Sequence, residues 1–257
     1  VTTPDISELI NQSIRLLSKA QQAVAITGAG ISTPSGIPDF RSKDSGLWRR
    51  FDPMAVASLA VFRYHPENFF EWVRPLVASM LDATPNAAHT ALARLEQAGF
   101  LAGLVTQNID DLHHRAGSQN VFEVHGHLRR ATCIKCYRSY STEGQIEAFA
   151  ERGEIPHCAE CGGILKPDIV LYGEQLPAKI VNAAQKLIDE SDLILIAGSS
   201  LEVTPAASMP VRALNRGAHL IIVNIDPTYL DERADVLIHD DVINILPVIA
   251  DTMLNSN

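Results

Sequence analysis

Four cysteines, the only ones in the chain, stand as Cys133-x-x-Cys136 and Cys158-x-x-Cys161. Each Cys-x-x-Cys turn brings two thiolates within reach of one divalent ion, and the stretch between the pairs matches zinc-ribbon spacing. The region from 130 to 167 is therefore expected to form a small module around one structural Zn2+ held by Cys133, Cys136, Cys158 and Cys161. With all four thiolates on the ion no coordination position remains for water, so chemistry must be sought elsewhere. The alternatives are two disulfides in a secreted protein, or a redox motif.

The remainder of the 257 residues, 46% apolar overall, can bury one large core beside that satellite. No basic, apolar, small-residue signal opens the sequence, and no apolar run approaches the roughly 20 residues of a membrane helix. A reducing, cytoplasmic compartment is expected, with no membrane partner. The formal charge of −9 argues against direct nucleic-acid binding, which is driven by phosphate neutralisation. Arg49-Arg50 and Arg129-Arg130 are too short to reverse this and read as solvated faces.

Along the chain, helical spacing over 6–20 leads into the apolar strand Ala23-Val24-Ala25-Ile26-Thr27, which runs into Gly28-Ala29-Gly30. Similar short apolar runs recur at 101–106, 121–124, 169–171, 193–197, 220–223 and 236–238. Helical patterns cover 86–97, 178–190, 205–216 and 242–253, with a shorter one around 142–152 inside the cysteine module. The alternation predicts an α/β fold: a Rossmann-like parallel sheet with helices on both faces, plus a small zinc-ribbon and helical domain.

Ligands of such sheets bind beyond the carboxyl ends of the strands, and four of those ends are unusual. Gly28-Ala29-Gly30-Ile31-Ser32 offers a glycine turn and backbone amides to a pyrophosphate. Thr33 stands where the third glycine of the dinucleotide fingerprint belongs, and the next strand lacks the acidic residue expected about 20 positions on for a ribose, which disfavours a hydride-transferring dehydrogenase. Thr106-Gln107-Asn108-Ile109-Asp110 crowds two amides and a carboxylate at a strand mouth, for a ligand or for capping a helix that begins near Asp110. Gly198-Ser199-Ser200-Leu201 suits phosphate contact or a plain turn. Val223-Asn224-Ile225-Asp226 suits a ribose or a turn cap.

Together with Ser35-Gly36-Ile37-Pro38-Asp39-Phe40-Arg41, His125-Gly126 and the cysteine pairs, these blocks resemble the sirtuin family of NAD-dependent protein lysine deacylases over nearly the whole chain, in the form of a prokaryotic-type catalytic core. The resemblance implies an NAD-binding domain of 1–41, 84–129 and 168–257, and a small domain of the helical insertion 42–83 with the ribbon 130–167. NAD is then a consumed co-substrate: acyl-lysine oxygen attacks the nicotinamide ribose, nicotinamide leaves, and the acyl group passes to ADP-ribose. Gly28, Ala29, Gly30, Ser32, Asp39, Phe40, Arg41, Gln107, Asn108, Ile109, Asp110, Gly198, Ser199, Ser200, Asn224, Asp226 and Val242 are the implied cofactor contacts. Phe40 is the ring over the reacting face, whereas Phe51, Phe62 and Phe69 read as core. Gln107, Asn108 and Asp110 resemble the group that holds the ribose and the nicotinamide carboxamide, and Asn108 is counted with His125 as catalytic. His125 is implied as general base rather than His127, because the family's histidine directly precedes a glycine; the other histidines, His113 and His114 among them, read as surface or core-edge.

The resemblance also implies that an acyl-lysine peptide adds as a strand between Val170-Leu171-Tyr172-Gly173-Glu174 and Leu201-Glu202-Val203. Tyr172 takes a place where the family often has Phe. Members that prefer succinyl or malonyl lysine carry Tyr and Arg where this chain has Val73 and Leu76, with Trp72 and Arg74 expected on other helix faces, so neutral acyl groups are expected, acetyl first. ADP-ribose transfer to protein, or a non-catalytic NAD sensor, are the alternative functions.

Overall fold

The apolar runs assemble into one wholly parallel sheet. The computed structural model describes residues 5–41 and 46–255, so the expected start of the helical insertion at Ser42 lies outside the described residues. Strands β1 (Ala23–Thr27), β2 (Gly103–Thr106), β3 (Val121–Glu123), β7 (Leu193–Ala197), β8 (His219–Val223) and β9 (Val236–Ile238) lie in the order β3-β2-β1-β7-β8-β9. Period-two alternation then divides every strand between two cores. Ala23, Ala25, Leu193, Leu195, Ile221 and Val223 face helices α1 (Ile6–Lys19), α5 (Ala87–Gln97) and α10 (Val242–Asn255). Val24, Ile26, Ile194, Ile196, Leu220 and Ile222 face α8 (Ala178–Asp189) and α9 (Met209–Leu214). Helices on both faces explain why these strands read as continuous apolar runs. The chain leaves β1 toward β2 on one side and later returns to β7 on the other, which opens a crevice at the carboxyl ends of β1 and β7.

A second, antiparallel sheet has β4 (Gly126–Cys133) between β5 (Ser139–Ser141) and β6 (Leu165–Ile169). This corrects two expectations. The apolar run at 169–171 is not a parallel strand: Ile169 ends β6 opposite Gly126, and the Val170 amide donates to the His125 carbonyl at 2.8 Å. The ribbon is also wider than 130–167, reaching Gly126 and Ile169. An apolar run of three residues carries no periodicity, so its partner is set by the tertiary arrangement. The predicted helix over 205–216 is likewise divided, with a 3-10 turn at Ala206–Ser208 leading into α9.

Helix α2 (Pro53–Val56) leads into α3 (Leu59–Tyr64) and α4 (Pro66–Asp82), whose Phe62, Phe69 and Phe70 form one cluster with Phe149 of the ribbon's α7 (Gln145–Arg152). Phe62 and Phe69 are buried as expected, but Phe51 is exposed. Arg74 turns to α7, its Nε donating to the Ala150 carbonyl at 2.9 Å. Arg129 and Arg130 are exposed as expected of a solvated face, and Arg129 also makes ion pairs, its Nη1 donating to Glu123 Oε1 at 2.9 Å and bonding Asp111. Among the described residues no helix is long and apolar enough to cross a membrane.

Candidate active site and metal centre

The crevice at β1 and β7 opens into a cavity of about 1110 Å3 that runs between the parallel sheet and the helical insertion. The residues expected to touch cofactor or peptide line it together with His125, except Leu201, which is buried in the core under the sheet. The glycines have a reason that the sequence does not show. A Cβ on Gly28 would come within 2.8 Å of Ser199 Oγ, and one on Gly30 within 2.9 Å of the Gly198 carbonyl oxygen. The loop after β1 thus packs on the Ser199 side chain at Gly28 and backbone to backbone on Gly198 at Gly30, which leaves no room for a Cβ at either position. Gly198 itself takes φ 60, in the left-handed region that favours glycine.

Hydrogen bonds fix the polar groups at the mouth of β2. Asn108 Nδ2 donates to the Gly28 carbonyl at 3.0 Å and to Ser32 Oγ at 3.1 Å, so both of its amide protons are engaged and Oδ1 is left as an acceptor. Ser32 Oγ donates to Asp110 Oδ2 at 2.6 Å, while Asp110 Oδ1 accepts from the Leu112 amide at 3.0 Å. Asp110 therefore serves both of its readings, because one oxygen closes the turn into α6 (Leu112–Arg115) and the other is tied to Ser32 in the cofactor loop. Burial raises its pKa against the bonds from Ser32 and Leu112. Gln107 Nε2 donates to Ser199 Oγ at 3.3 Å, joining the β2 and β7 ends. At the β8 end, Asn224 Nδ2 donates to the Asp226 carbonyl at 2.6 Å, which favours the turn reading for that nitrogen although both residues line the cavity.

His125 lies between β3 and β4, with its Nδ1 at 3.0 Å from the Gln107 carbonyl oxygen. A carbonyl can only accept, so the proton sits on Nδ1 and the lone pair on Nε2. Burial lowers the imidazole's pKa, opposed by the Gln107 carbonyl and assisted by the Arg41 charge. The ring is a neutral proton acceptor at physiological pH. His127 Nδ1 is buried without a hydrogen-bond partner, and His127 does not line the cavity.

The wall facing the sheet is apolar and aromatic. Val73, Leu76 and Met80 of α4 line it, as does Trp72, contrary to the expectation that Trp72 lies on another face. The indole is wide enough to reach round the helix, and it stacks on Trp48 with ring centroids 5.6 Å apart. Phe40 lies 5.1 Å from Trp48. Trp48 was not singled out in the sequence. It sits in the 3-10 turn Leu47–Arg49, a single tryptophan with no periodicity around it to mark it. The peptide segment is anchored on one edge, where the Tyr172 amide donates to the Ala57 carbonyl at 3.0 Å and its carbonyl accepts from Leu59 at 2.9 Å. Val203, on the opposite side, lends its carbonyl to Ala207. Arg41 crosses between the two sides: Nη2 donates to Tyr172 Oη at 3.1 Å and Nε lies 3.2 Å from Glu202.

Two histidines behind this surface correct the sequence reading. His113 and His89 are both buried, with rings 4.9 Å apart. His89 Nδ1 accepts from the Asn86 amide at 3.4 Å as half of a capping box, which leaves Nε2–H to face Ser32 Oγ at 3.5 Å. His113 Nε2 lies 2.8 Å from Thr27 Oγ1 on β1. The Asn86-x-x-His89 spacing was the available signal for the first; no local pattern marks the second. Burial drives the His89 pKa from 6.5 down to about 4, and His113 well below its ordinary value. Both rings are neutral in the folded and unfolded chain above pH 6.5. As pH falls through that value the unfolded chain takes up protons that the core refuses, so stability is lost progressively toward pH 4. His89 alone contributes roughly 3 kcal/mol across the window. The thermal midpoint is expected to fall by about 5–10 °C between pH 7 and 5. A flat midpoint there would mean that both rings charge inside the core.

The four cysteines form no disulfide, and all four sulfurs lie within 4.8 Å of one another. Sulfurs about 2.3 Å from a tetrahedral zinc ion lie about 3.8 Å apart. Cys133 and Cys161 Sγ are 3.5 Å apart and Cys136 and Cys158 Sγ 3.6 Å. The Lys135 and Cys136 amides point at Cys133 Sγ from 3.4 and 3.5 Å, and a Cβ on Gly163 would approach that sulfur to 2.8 Å. A turn that leaves room for thiolates and donates to them fits one structural Zn2+.

Comparison with known proteins agrees with this geometry. Residues 28–205 match the model of the Sir2 family. An NAD-dependent protein deacetylase of Sulfurisphaera tokodaii is 42% identical over 236 residues, 92% of each chain. An NAD-dependent protein deacylase 2 of Archaeoglobus fulgidus is 43% identical over 243 residues, covering 94% of this chain and 95% of the relative. Among solved structures, a Sir2 enzyme superposes with a TM-score of 0.90 at 41% identity, covering 98% of this chain and all of the other. A Sir2 variant bound to a deacetylated p53 peptide and 3'-O-acetyl ADP ribose superposes with a TM-score of 0.88 at 36% identity, covering 95% of this chain and 98% of the other.

Proposed function

This chain belongs to the Sir2 family, and from that premise we propose which of its residues carry the reaction. It is an NAD-dependent protein-lysine deacylase that transfers the acyl group to ADP-ribose and releases nicotinamide, with NAD consumed as co-substrate and zinc in a structural role. His125 is the general base. The observation that carries this assignment is the Nδ1 bond to the Gln107 carbonyl, which leaves Nε2 unprotonated in a ring that lines the cavity. Asn108 and Asp110 hold the ribose side of NAD, backed by Ser32. Gly28–Gly30 and Gly198–Ser200 take its diphosphate, Asn224, Asp226 and Val242 its adenosine end, and Phe40 keeps water from the reacting carbon. Val170–Gly173 and Val203 flank the substrate peptide. ADP-ribose transfer to protein and NAD sensing do not use the acyl-lysine channel that the cavity walls supply.

Further proposals follow from the same features. The two sheets suggest a cofactor-binding domain (1–41, 84–129, 168–257) and a small domain (42–83 with 130–167), with the ribbon edges moved out to Gly126 and Ile169. A cytoplasmic location is proposed from four thiols left unpaired in disulfides. The net charge of −9 supports protein substrates rather than nucleic acid.

Acyl preference tests the channel. A succinyl group would bury a carboxylate against Val73, Leu76 and Trp72, which offer no cation. Catalytic efficiency on one peptide carrying acetyl, butyryl or succinyl lysine is expected to favour acetyl or butyryl over succinyl by about 10²-fold, since an unpaired buried charge costs several kcal/mol. Val73→Tyr with Leu76→Arg should narrow that gap. Equal removal of succinyl and acetyl by the unmodified chain would refute the channel assignment, and absence of acyl-ADP-ribose by mass spectrometry with every peptide would refute the function.

A further inference from the structure

The metal centre has one side-chain donor that the cysteine spacing does not reveal. Tyr140 on β5 stands opposite Ala131 in the ladder with β4, and its ring packs in the ribbon's small core with Cys133, Cys158 and Leu165. Its hydroxyl reaches across to the other knuckle, with Oη at 3.0 Å from Cys158 Sγ. A thiolate bound to a metal carries no proton, so within a loaded site the phenol must be the donor, and the contact is a charge-assisted O–H···S bond. Cys158 is buried, so water cannot replace that donor if the hydroxyl is lost. Main-chain amides serve both knuckles, those of Lys135 and Cys136 at Cys133 and those of Glu160 and Cys161 at Cys158, so the hydroxyl is a further donor on Cys158, while Cys136 is exposed to solvent.

Groups that hydrogen-bond a metal ligand set its basicity and hold its orientation. A donor on a thiolate lowers the energy of the sulfur lone pairs. It makes the sulfur a poorer target for protons and electrophiles, which are the agents that open a zinc–sulfur bond. The hydroxyl also ties β5, the edge strand, to the second cysteine turn.

We propose that Tyr140 is a positioning residue of the zinc site, whose hydroxyl holds and quiets the Cys158 thiolate and so slows loss of the ion. The idea concerns the metal centre and does not depend on how the cleft is assigned. It requires one zinc per chain in the unmodified protein, which is measured first and separates failure of the site from failure of the proposal.

The test compares the full chain with Tyr140→Phe, which keeps the ring and removes only the oxygen, and with Tyr140→Leu, which removes the packing as well. Zinc transfer from the loaded proteins to a chromogenic chelator is expected to be about tenfold faster in Tyr140→Phe, the usual weight of one hydrogen bond to a charged acceptor. Cobalt substituted for zinc gives a second readout that packing does not move. Without the donor the sulfur lone pairs rise, so the sulfur-to-cobalt charge-transfer band of Tyr140→Phe should shift to longer wavelength. Equal zinc loss and an unmoved cobalt band in Tyr140→Phe would overturn the proposal. An unmoved band with faster zinc loss would overturn it too, since the hydroxyl would then act only through packing, and Tyr140→Leu shows the size of that effect.

Discussion

Replacing His125 with Ala is expected to abolish deacylation, lowering turnover by about 10²–10⁴, the usual contribution of a positioned base. The loss should fall on the chemical step. His125 takes no part in the hydrophobic clusters, so the fold and NAD affinity should remain close to those of the unmodified chain. The pH profile follows from the same ring. Since burial holds its pKa under 6.5, the neutral form persists below that pH, and the acid limb of kcat/KM should fall at lower pH than for a solvated histidine. His127→Ala is the control. Its ring stands off the cavity, so the change should cost far less. Equal losses at the two positions, or full turnover without His125, would reverse the assignment.

Removing the metal should have an effect of similar size by another route. Cys133→Ala leaves three ligands and empties the position where two amides converge. The ribbon's own core consists of Ala131, Cys133, Cys158 and Leu165, too little to hold three strands together without the ion. Zinc content should fall from one per chain, the ribbon should lose protection from proteolysis, and activity should disappear with it, because β4 continues directly from His125 and the Val170 amide is bonded to the His125 carbonyl. Metal-free protein that kept both its melting temperature and its turnover would contradict a structural role for zinc. An activity lost on chelation with no change in melting temperature would point instead to a catalytic ion.

The central parallel strands β1, β2 and β7 were readable because they are buried on both faces and bounded by turn residues, which leaves a short apolar run that stands out in any window. The cysteine pairs were readable because thiolate spacing is a covalent fact of the chain. The run at 169–171 was misassigned for the same reason that the others succeeded: three apolar residues say that a segment is buried and nothing about which sheet buries it. Trp72 was misplaced because helical phase gives the direction of Cβ, whereas an indole extends far enough to join the neighbouring face. His113 was taken for a core-edge residue, yet its partner Thr27 lies 86 residues earlier.

The sequence by itself determined the alternation of strands and helices, the metal ligands, the polar strand ends and the glycines at 28, 30 and 198. All of these depend on residue type and short spacing. Only the tertiary structure decided that those glycines are needed because two loops meet too closely for a Cβ, that the Gln107 carbonyl selects the tautomer of His125, that Trp48 and Trp72 wall the channel, and that Tyr140 reaches Cys158. Each of these is a contact between residues distant in sequence, whose distance and direction no local pattern encodes. They exist once burial has brought the parallel sheet, the ribbon and the helical insertion around one cleft.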